Sequence, residues 1–539
     1  MDLILYNGNL RTMDKDRPRA QAVAVEKGII KTAGTNEEVL ALKSENTKVI
    51  DLCGKTVIPG FNDSHIHLMG YALELGRVDL NGVKTIDEMA DRFKAFIAKH
   101  NIPPGTMVFG RGWNQHFFEG DQRNPTKYDL DKASEVHPIY ASRACGHVGC
   151  VNSAMLRHFG MDKNTPDVPG GEIIREEDGE PNGLFTENAR IIFRTALKFD
   201  TAEVEALIQR ALPYLAKSGI TSVHSDDYYR GAPSESVYQA YLNLVKAGKL
   251  TVRVNHKSRA MGIDNYAKMF KIPQVDKDIA PYFKLGPVKI MSDGSLGGRT
   301  AYMKEDYHDD PGNRGVPIYS DEEFNAIVSM AHNDGRCVAV HAIGDAAIQL
   351  CIDAIKKARA ENPKPHLRHA IIHCQITDEA MLKEFKENNI IAYIQPIFIH
   401  ADWRNLESKV GKAKASTSYA FKTLRDLGVR TPFGTDCPVD PLDPFKNLYC
   451  AVARKDLFGQ PEGGFNPNEA LSVEEAVYCY TADGAYTSYD EDVKGMIKTG
   501  MYADMAVLSK NIFEITPEEI LNTEVVMTVF DGKIIYSVD

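Results

Sequence analysis

Hydrophobic and polar positions along this chain fall into three regimes. Near both ends the pattern alternates with a period of two. AVAVEKGIIKTAG (22 to 34) and TVFDGKIIYSV (528 to 538) place apolar, β-branched runs around Lys-Gly and Asp-Gly turns, the pattern of β-hairpins. The first leads into GKTVIPGFNDSHIH (54 to 67), and the second follows the strand-rich KGMIKTGMYADMAVLS (494 to 509). Two β-rich ends flanking a helical middle predict one small β-sandwich domain assembled from residues 1–58 and 485–539.

The middle follows a different rule. SDEEFNAIVSMAHNDG opens with Ser320 and Glu323 in a capping box, runs as an amphipathic helix and stops at Gly335; CVAVH then reads as a buried strand. The same order recurs in TAEVEALIQRALPYLAKSGITSVHS, in DAAIQLCIDAIKKARAENP before LRHAIIH, and in TSYAFKTLRDLGVRTPFGTD. Repeated helix-then-strand units imply an α/β fold with a parallel sheet, closed or open; their number favours closure, and the expected form is a (β/α)8 TIM-like barrel over residues 59–484. Residues 80–195 break the rhythm. A helix TIDEMADRFKAFIAKH, with Thr85 and Glu88 as its capping box, precedes turn-rich text such as GRGWNQHFFEGDQRNP, and this stretch is expected to be an inserted lid or substrate subdomain.

Composition narrows the picture. The 539 residues, 43% hydrophobic and 25% charged, are ordinary for a globular protein with a large core. A net charge of -11, with no basic run, argues against nucleic-acid binding. The N-terminus carries no signal-peptide pattern and no segment is long and apolar enough for a membrane span, so a cytoplasmic protein is expected. Nine scattered cysteines do not suggest a disulfide framework, and Cys145, His147 and Cys150 in CGHVGC match no common zinc spacing.

Chemistry concentrates at the predicted strand ends. In GFNDSHIH, alternation sends His65 and His67 to one side, where two imidazoles can share a metal ion. CVAVH ends in His341, HAIIH in His373 and PFGTD in Asp436, while GPVKIMSDG carries Lys289 inside an apolar strand. Each residue alone reads equally as core. Their shared position at the C-terminal ends of barrel strands is where a barrel builds its chemistry, and together they predict a metal site. Imidazole ligands suit zinc, iron or nickel, so ligand type leaves the metal open.

With these residues in place, the chain resembles the amidohydrolase superfamily. That pattern has a His-x-His pair after the first barrel strand, a lysine in the fourth, histidines ending the fifth and sixth, and an aspartate ending the eighth. The corresponding positions are His65, His67, Lys289, His341, His373 and Asp436. HAIGDAA, SDGSLGGRTA, GRGWNQ and GHVGCVNSAML are similar to its YtcJ-like branch (amidohydrolase family 3), which includes N-substituted formamide deformylases. One departure is Cys145, where that branch often has an acidic residue. The resemblance implies two divalent metals, zinc first with iron, manganese or nickel as alternatives, and a CO2-derived carbamate on Lys289 bridging them. His65 and His67 would hold the more buried metal and His341 and His373 the more exposed one. Asp436 would bind the first metal and act as general base while a metal-activated hydroxide cleaves a C–N bond of an amide-like, N-formyl or N-acyl small molecule.

For substrate contacts, Trp113, Arg143, His147 and Asn152 lie in motifs of that branch, Trp113 being read as an exposed aromatic; Phe398, His400 and Trp403 are lesser candidates. His224 matches no ligand position and reads as a supporting or structural residue. The same metal site would serve a deaminase or a lactonase/esterase, and a single-metal enzyme with unmodified Lys289 is a further variant. A non-catalytic binding module on this scaffold is also conceivable, although every expected ligand position is filled. The expected partner is a small molecule, with neither nucleic acid nor membrane, and a homo-oligomer is compatible with the sequence.

Overall fold

A computed structural model of the chain describes residues 1–145, 147–190, 192–193, 198–227, 231–269 and 276–538. It divides into two compact units, one of residues 1–71, 201–228 and 234–539, the other of residues 72–200 and 229–233.

The first unit is built on seven parallel strands: β1 (Phe61–Ile66), β2 (Ile220–Ser225), β3 (Arg253–Arg259), β4 (Phe283–Met291), β5 (Val338–Ala342), β6 (Ala370–His373) and β7 (Ile391–Tyr393), adjacent in that order. Most of their residues are buried on both faces, as an all-parallel sheet requires. Each connection is long enough to hold a helix; Asp321–Asn333 precedes β5 with the Ser320/Glu323 capping box formed, and Asp345–Glu361 precedes β6. The fold is the expected α/β, TIM-like barrel.

The eighth position differs from the regular strand expected at PFGTD. Residues 430 to 436 run between β7 and β1 with a single bridge, Ile394 to Phe433. On one side the Ala392 and Ile394 N–H groups donate to Arg430 O (3.0 Å) and Pro432 O (3.1 Å). On the other, Ser64 N–H donates to Phe433 O (2.8 Å) and Asp436 N–H to His65 O (2.7 Å). Pro432 has no N–H to contribute, and Asp436 turns into the left-handed region at φ 58, so the ladder closes irregularly. A Cβ on Gly434 would stand 2.5 Å from His65 N, so only glycine lets this segment lie so close to β1.

The chain ends form two further sheets. One orders Ile29–Gly34, Ala22–Glu26, Leu3–Tyr6 and Lys48–Asp51; the other orders Lys533–Ser537, Val525–Phe530, Met505–Leu508, Thr56–Pro59, Asn9–Arg11 and Arg19–Ala20. Leu3, Leu5, Val23 and Val25 of the first sheet share a core with Val57, Met505, Val507 and Val529 of the second. Fully burying each such side chain contributes about 1.5–3 kcal/mol. Thr56–Pro59 pairs antiparallel with Met505–Leu508 and runs directly into β1.

The second unit carries a six-stranded sheet, ordered Ile173–Arg175, Pro181–Thr186, Val148–Val151, Ile139–Arg143, Val108–Trp113 and Val78–Asp79. GRGW, read as the start of turn-rich text, is the end of the Val108–Trp113 strand, with Gly112 taking φ 120 at an irregular step in its pairing. Thr85 accepts from Glu88 N–H (3.0 Å) at the start of helix Ile86–Lys99, but the Glu88 carboxylate binds Lys84 N–H (2.7 Å) and Arg92. Half of the expected capping box is therefore made. Among the described residues no helix is long and apolar enough to cross a membrane.

Candidate metal centre

His65 lies in β1 and His67 just beyond it, and their rings stand on one side with centroids 5.2 Å apart. β1 spends one more residue than β2 between the pairs Asp63–Val223 and Ile66–Ser225, a bulge at Ser64 and His65 that re-aims the strand end. Asp63, fully buried, accepts from His65 N–H (3.2 Å), Thr435 N–H (3.1 Å) and the Thr435 hydroxyl (2.6 Å), tying this bulge to the segment that carries Asp436. Burial pushes the Asp63 carboxyl up to about 7 against these hydrogen bonds.

The six candidate ligands converge at the C-terminal ends of the strands. Asp436 Oδ1 lies 3.1 Å from His67 Nε2 and 3.2 Å from His65 Nε2, and one donor atom from each of the three lies within 4.8 Å of the others. Lys289 Nζ, on β4, stands 3.4 Å from His65 Nε2. The His373 ring lies 5.6 Å from that of His65 and 4.5 Å from that of His341, centroid to centroid. His373 and Asp436 both hold left-handed backbone, φ 79 and 58, unusual for residues that are not glycine.

The outward nitrogens fix two tautomers. His67 Nδ1 donates to Asp226 O (2.8 Å), His341 Nε2 to Gly294 O (3.0 Å) and His373 Nδ1 to Gln395 Oε1 (2.8 Å). Each of these oxygens only accepts, so lone pairs remain on His341 Nδ1 and His373 Nε2, while His67 Nε2 is hydrogen-bonded to Asp436 Oδ1. His65 is the exception, with Nδ1 3.0 Å from Lys257 Nζ.

Electrostatics favour neutral rings. Burial, with neighbouring cations, holds His65 and His341 well below the usual imidazole range and brings His373 down to about 4. His67 moves the other way, because the Asp436 hydrogen bond and Asp226 outweigh its burial. Burial lowers the Lys289 ammonium to about 8. Asp436 is held below the usual carboxylate range because His67, His373 and Lys289 overcome its desolvation.

The other candidates fare differently. Trp113 is fully buried in the core of the second unit, its Nε1 donating to Ala141 O (3.2 Å); the expectation of an exposed aromatic is overturned. Asn152 is likewise buried, capping helix Ser153–His158 and holding Ile139 N–H and the Ser134 and His137 carbonyls, so its polar atoms are committed to structure. Arg143 donates to Gln115 and Asn114, and exposed His147 pairs with Glu187 at 3.0 Å. All four belong to the second unit. Cys145 is exposed and Cys150 buried, Gly146 between them lies outside the described residues, and among the described residues only His65, His67 and Asp436 form a His/Cys/Asp/Glu cluster of metal-binding size.

His224 is buried in β2, its Nδ1 3.5 Å from Tyr393 OH and Thr487 Oγ1. Phe398 stacks on His373 at 5.5 Å, while His400 accepts from Leu457 N–H and Trp403 donates to Asp456. Sequence reasoning missed Lys257, Asp226 and Gln395. Lys257 carried a usable signal, a charge inside a buried strand, the same mark that exposed Lys289.

A parallel barrel that gathers histidines, a lysine and an aspartate at one end of its strands defines a barrel hydrolase. Residues 48–536 match the amidohydrolase family model, and the chain belongs to that family. It is 34% identical over 540 residues to YtcJ of Bacillus subtilis (strain 168), a protein named as an amidohydrolase, covering 99% of each chain. It is 30% identical over 560 residues to an N-substituted formamide deformylase of Arthrobacter pascens, covering 99% of this chain and 98% of that one. Among solved structures, a metal-dependent hydrolase of Pyrococcus horikoshii OT3 aligns with TM-score 0.78 at 26% identity, over 96% of this chain and 99% of that one.

Proposed function

We propose that this hydrolase is a metal-dependent enzyme that cleaves the C–N bond of an amide-like small molecule, such as an N-formyl or N-acyl compound. The observation that carries the reading is the convergence of one donor atom each from His65, His67 and Asp436 at the C-terminal ends of the strands. In a tetrahedral site with bonds of about 2.0–2.1 Å, donors stand about 3.3 Å apart. The spacings of 3.1 and 3.2 Å from Asp436 Oδ1 to the two Nε2 atoms fit that requirement.

His65, His67 and Asp436 would hold one ion and His341 and His373 a second, with Lys289 between them. Zinc suits this set; iron, manganese and nickel are compatible. When bound, the ions supply Lewis acidity toward the substrate carbonyl and make water a better nucleophile at neutral pH. Lys289 is buried near Lys257 and Arg259, where an ammonium is poorly placed. Its amine attacks CO2, forming the N–C bond and releasing a proton, and the resulting carbamate replaces a repelling cation with an anion.

Asp436, kept ionised by its surroundings, takes a proton from the attacking water and returns it to the leaving nitrogen. Phe398 against His373 offers an apolar wall beside the reacting carbonyl. The relative named for N-substituted formamides supports amides as substrates. The enzyme is read as cytoplasmic and acting on a freely diffusing small molecule. Elemental analysis of protein purified with bicarbonate and without chelators, followed by a screen of N-formyl and N-acyl amides, tests the proposal. About two metal equivalents and release of formate or another acid are expected; no metal uptake even when zinc is offered would overturn it.

A further inference from the structure

Lys257 belongs to no ligand position yet touches the candidate ligand His65. It rises from β3, fully buried, and reaches across β2 to β1, where its Nζ lies 2.7 Å from Ser64 O and 3.0 Å from His65 Nδ1. The face of the Tyr393 ring closes a third side, 4.7 Å from Nζ to the ring centroid. These contacts meet at one defect. The bulge in β1 takes Ser64 and His65 out of register with β2, and the Ser64 carbonyl takes a hydrogen bond from the Lys257 side chain.

The same bulge aims His65. Three of the four histidines are oriented by oxygen acceptors on their outward nitrogens, and Lys257 fills that place for His65. We propose that Lys257 is a positioning residue of the metal centre: by bridging Ser64 O and His65 Nδ1 it pins the bulge and holds His65 Nε2 toward Asp436 and Lys289. This rests on the metal-dependent reading above. Nζ meets both atoms at hydrogen-bond distance, so a single buried side-chain atom ties the bulge backbone to the His65 ring. Methionine has no N–H with which to make either contact, and the longer, planar guanidinium of arginine does not place one atom at both positions.

The test uses the full chain with zinc(II), by competition against a chromophoric chelator, and with cobalt(II), by its visible absorption. Lys257→Met should weaken metal binding about 10–100-fold, the usual cost of losing a ligand's supporting partner, and shift the cobalt bands. The thermal unfolding of the metal-free protein should stay near that of the wild type. Wild-type affinity and spectrum in Lys257→Met would overturn the proposal, as would a loss of affinity that merely tracks a loss of metal-free stability. If Lys257→Met does not fold, Lys257→Arg keeps a donor for Ser64 O and should show the same loss; unchanged affinity there is equally fatal. Failure of the wild type itself to bind metal would bring down the metal-dependent reading and this inference with it, an outcome separable from failure of the variants alone.

Discussion

Two histidine clusters sit at opposite ends of the same strands, and their difference explains what makes one of them a candidate for chemistry. Below β5 and β6, His369 Nδ1 accepts from Val338 N–H (3.1 Å), its Nε2 donates to His332 Nδ1 (2.9 Å), and His332 Nε2 donates to Asn362 O (2.6 Å). Every ring nitrogen there has a partner within the fold. Above the same strands, His341 and His373 each commit one nitrogen outward and keep the other. Both clusters are buried and both hold depressed imidazoles, so neither burial nor depressed basicity separates ligand from scaffold. Uncommitted lone pairs do.

The sharpest break of this contrast lies in the upper cluster. Asp436→Asn should lower kcat about 10²–10⁴-fold while leaving the fold intact, measured by steady-state turnover of a responsive amide; retained activity removes Asp436 from its role. Next, Lys289→Ala should reduce bound metal well below the wild-type content by elemental analysis, because the carbamate would be lost; unchanged content would favour a centre that does not need the lysine.

The lower cluster should respond in the opposite currency. His369→Ala leaves the buried Val338 N–H without an acceptor and should cost about 1–3 kcal/mol in denaturant unfolding, with metal content unchanged. Metal loss at constant stability would erase the distinction between the clusters. The same histidine also gives a pH dependence. Burial, with Arg359 and His332 nearby, holds His369 at about 3 against an ordinary 6.5, so on acidification the unfolded chain takes up that proton first. The contribution is fully present above about 6.5 and lost as pH falls toward 3, by at most about 1.4 kcal/mol per pH unit. The stability gap between wild type and His369→Ala should therefore narrow across that window.

Much of the upper cluster was legible because alternation and strand ends leave marks in one dimension. His65 and His67 share a parity, and Lys289 interrupts an apolar run. Lys257 was passed over because RVNHKSR mixes polar residues at both parities, which hides which side faces the barrel interior. Trp113 was misjudged because its flanking glycines suggest a turn, whereas Gly112 serves an irregular step between paired strands. The irregular eighth position was illegible for a related reason. Pro432 and Gly434 can end a strand or let one pass close to another, and the sequence does not say which. Partners supplied by backbone carbonyls, such as Asp226 O and Gly294 O, leave no residue-type signal at all.

The pairing of Thr56–Pro59 with Met505–Leu508 bears on how the molecule is made. The first histidines leave the ribosome early, yet the strand that carries them is anchored by a segment synthesised hundreds of residues later. Arg253, at the start of β3, ties to the same late region through Asp504 at 2.6 Å and Asp531 at 3.3 Å. A nascent chain that has passed Asp436 therefore holds all six candidate ligands but not the clamp beneath them. A chain truncated before Met505 should therefore lose the arrangement of the centre without losing a single candidate ligand.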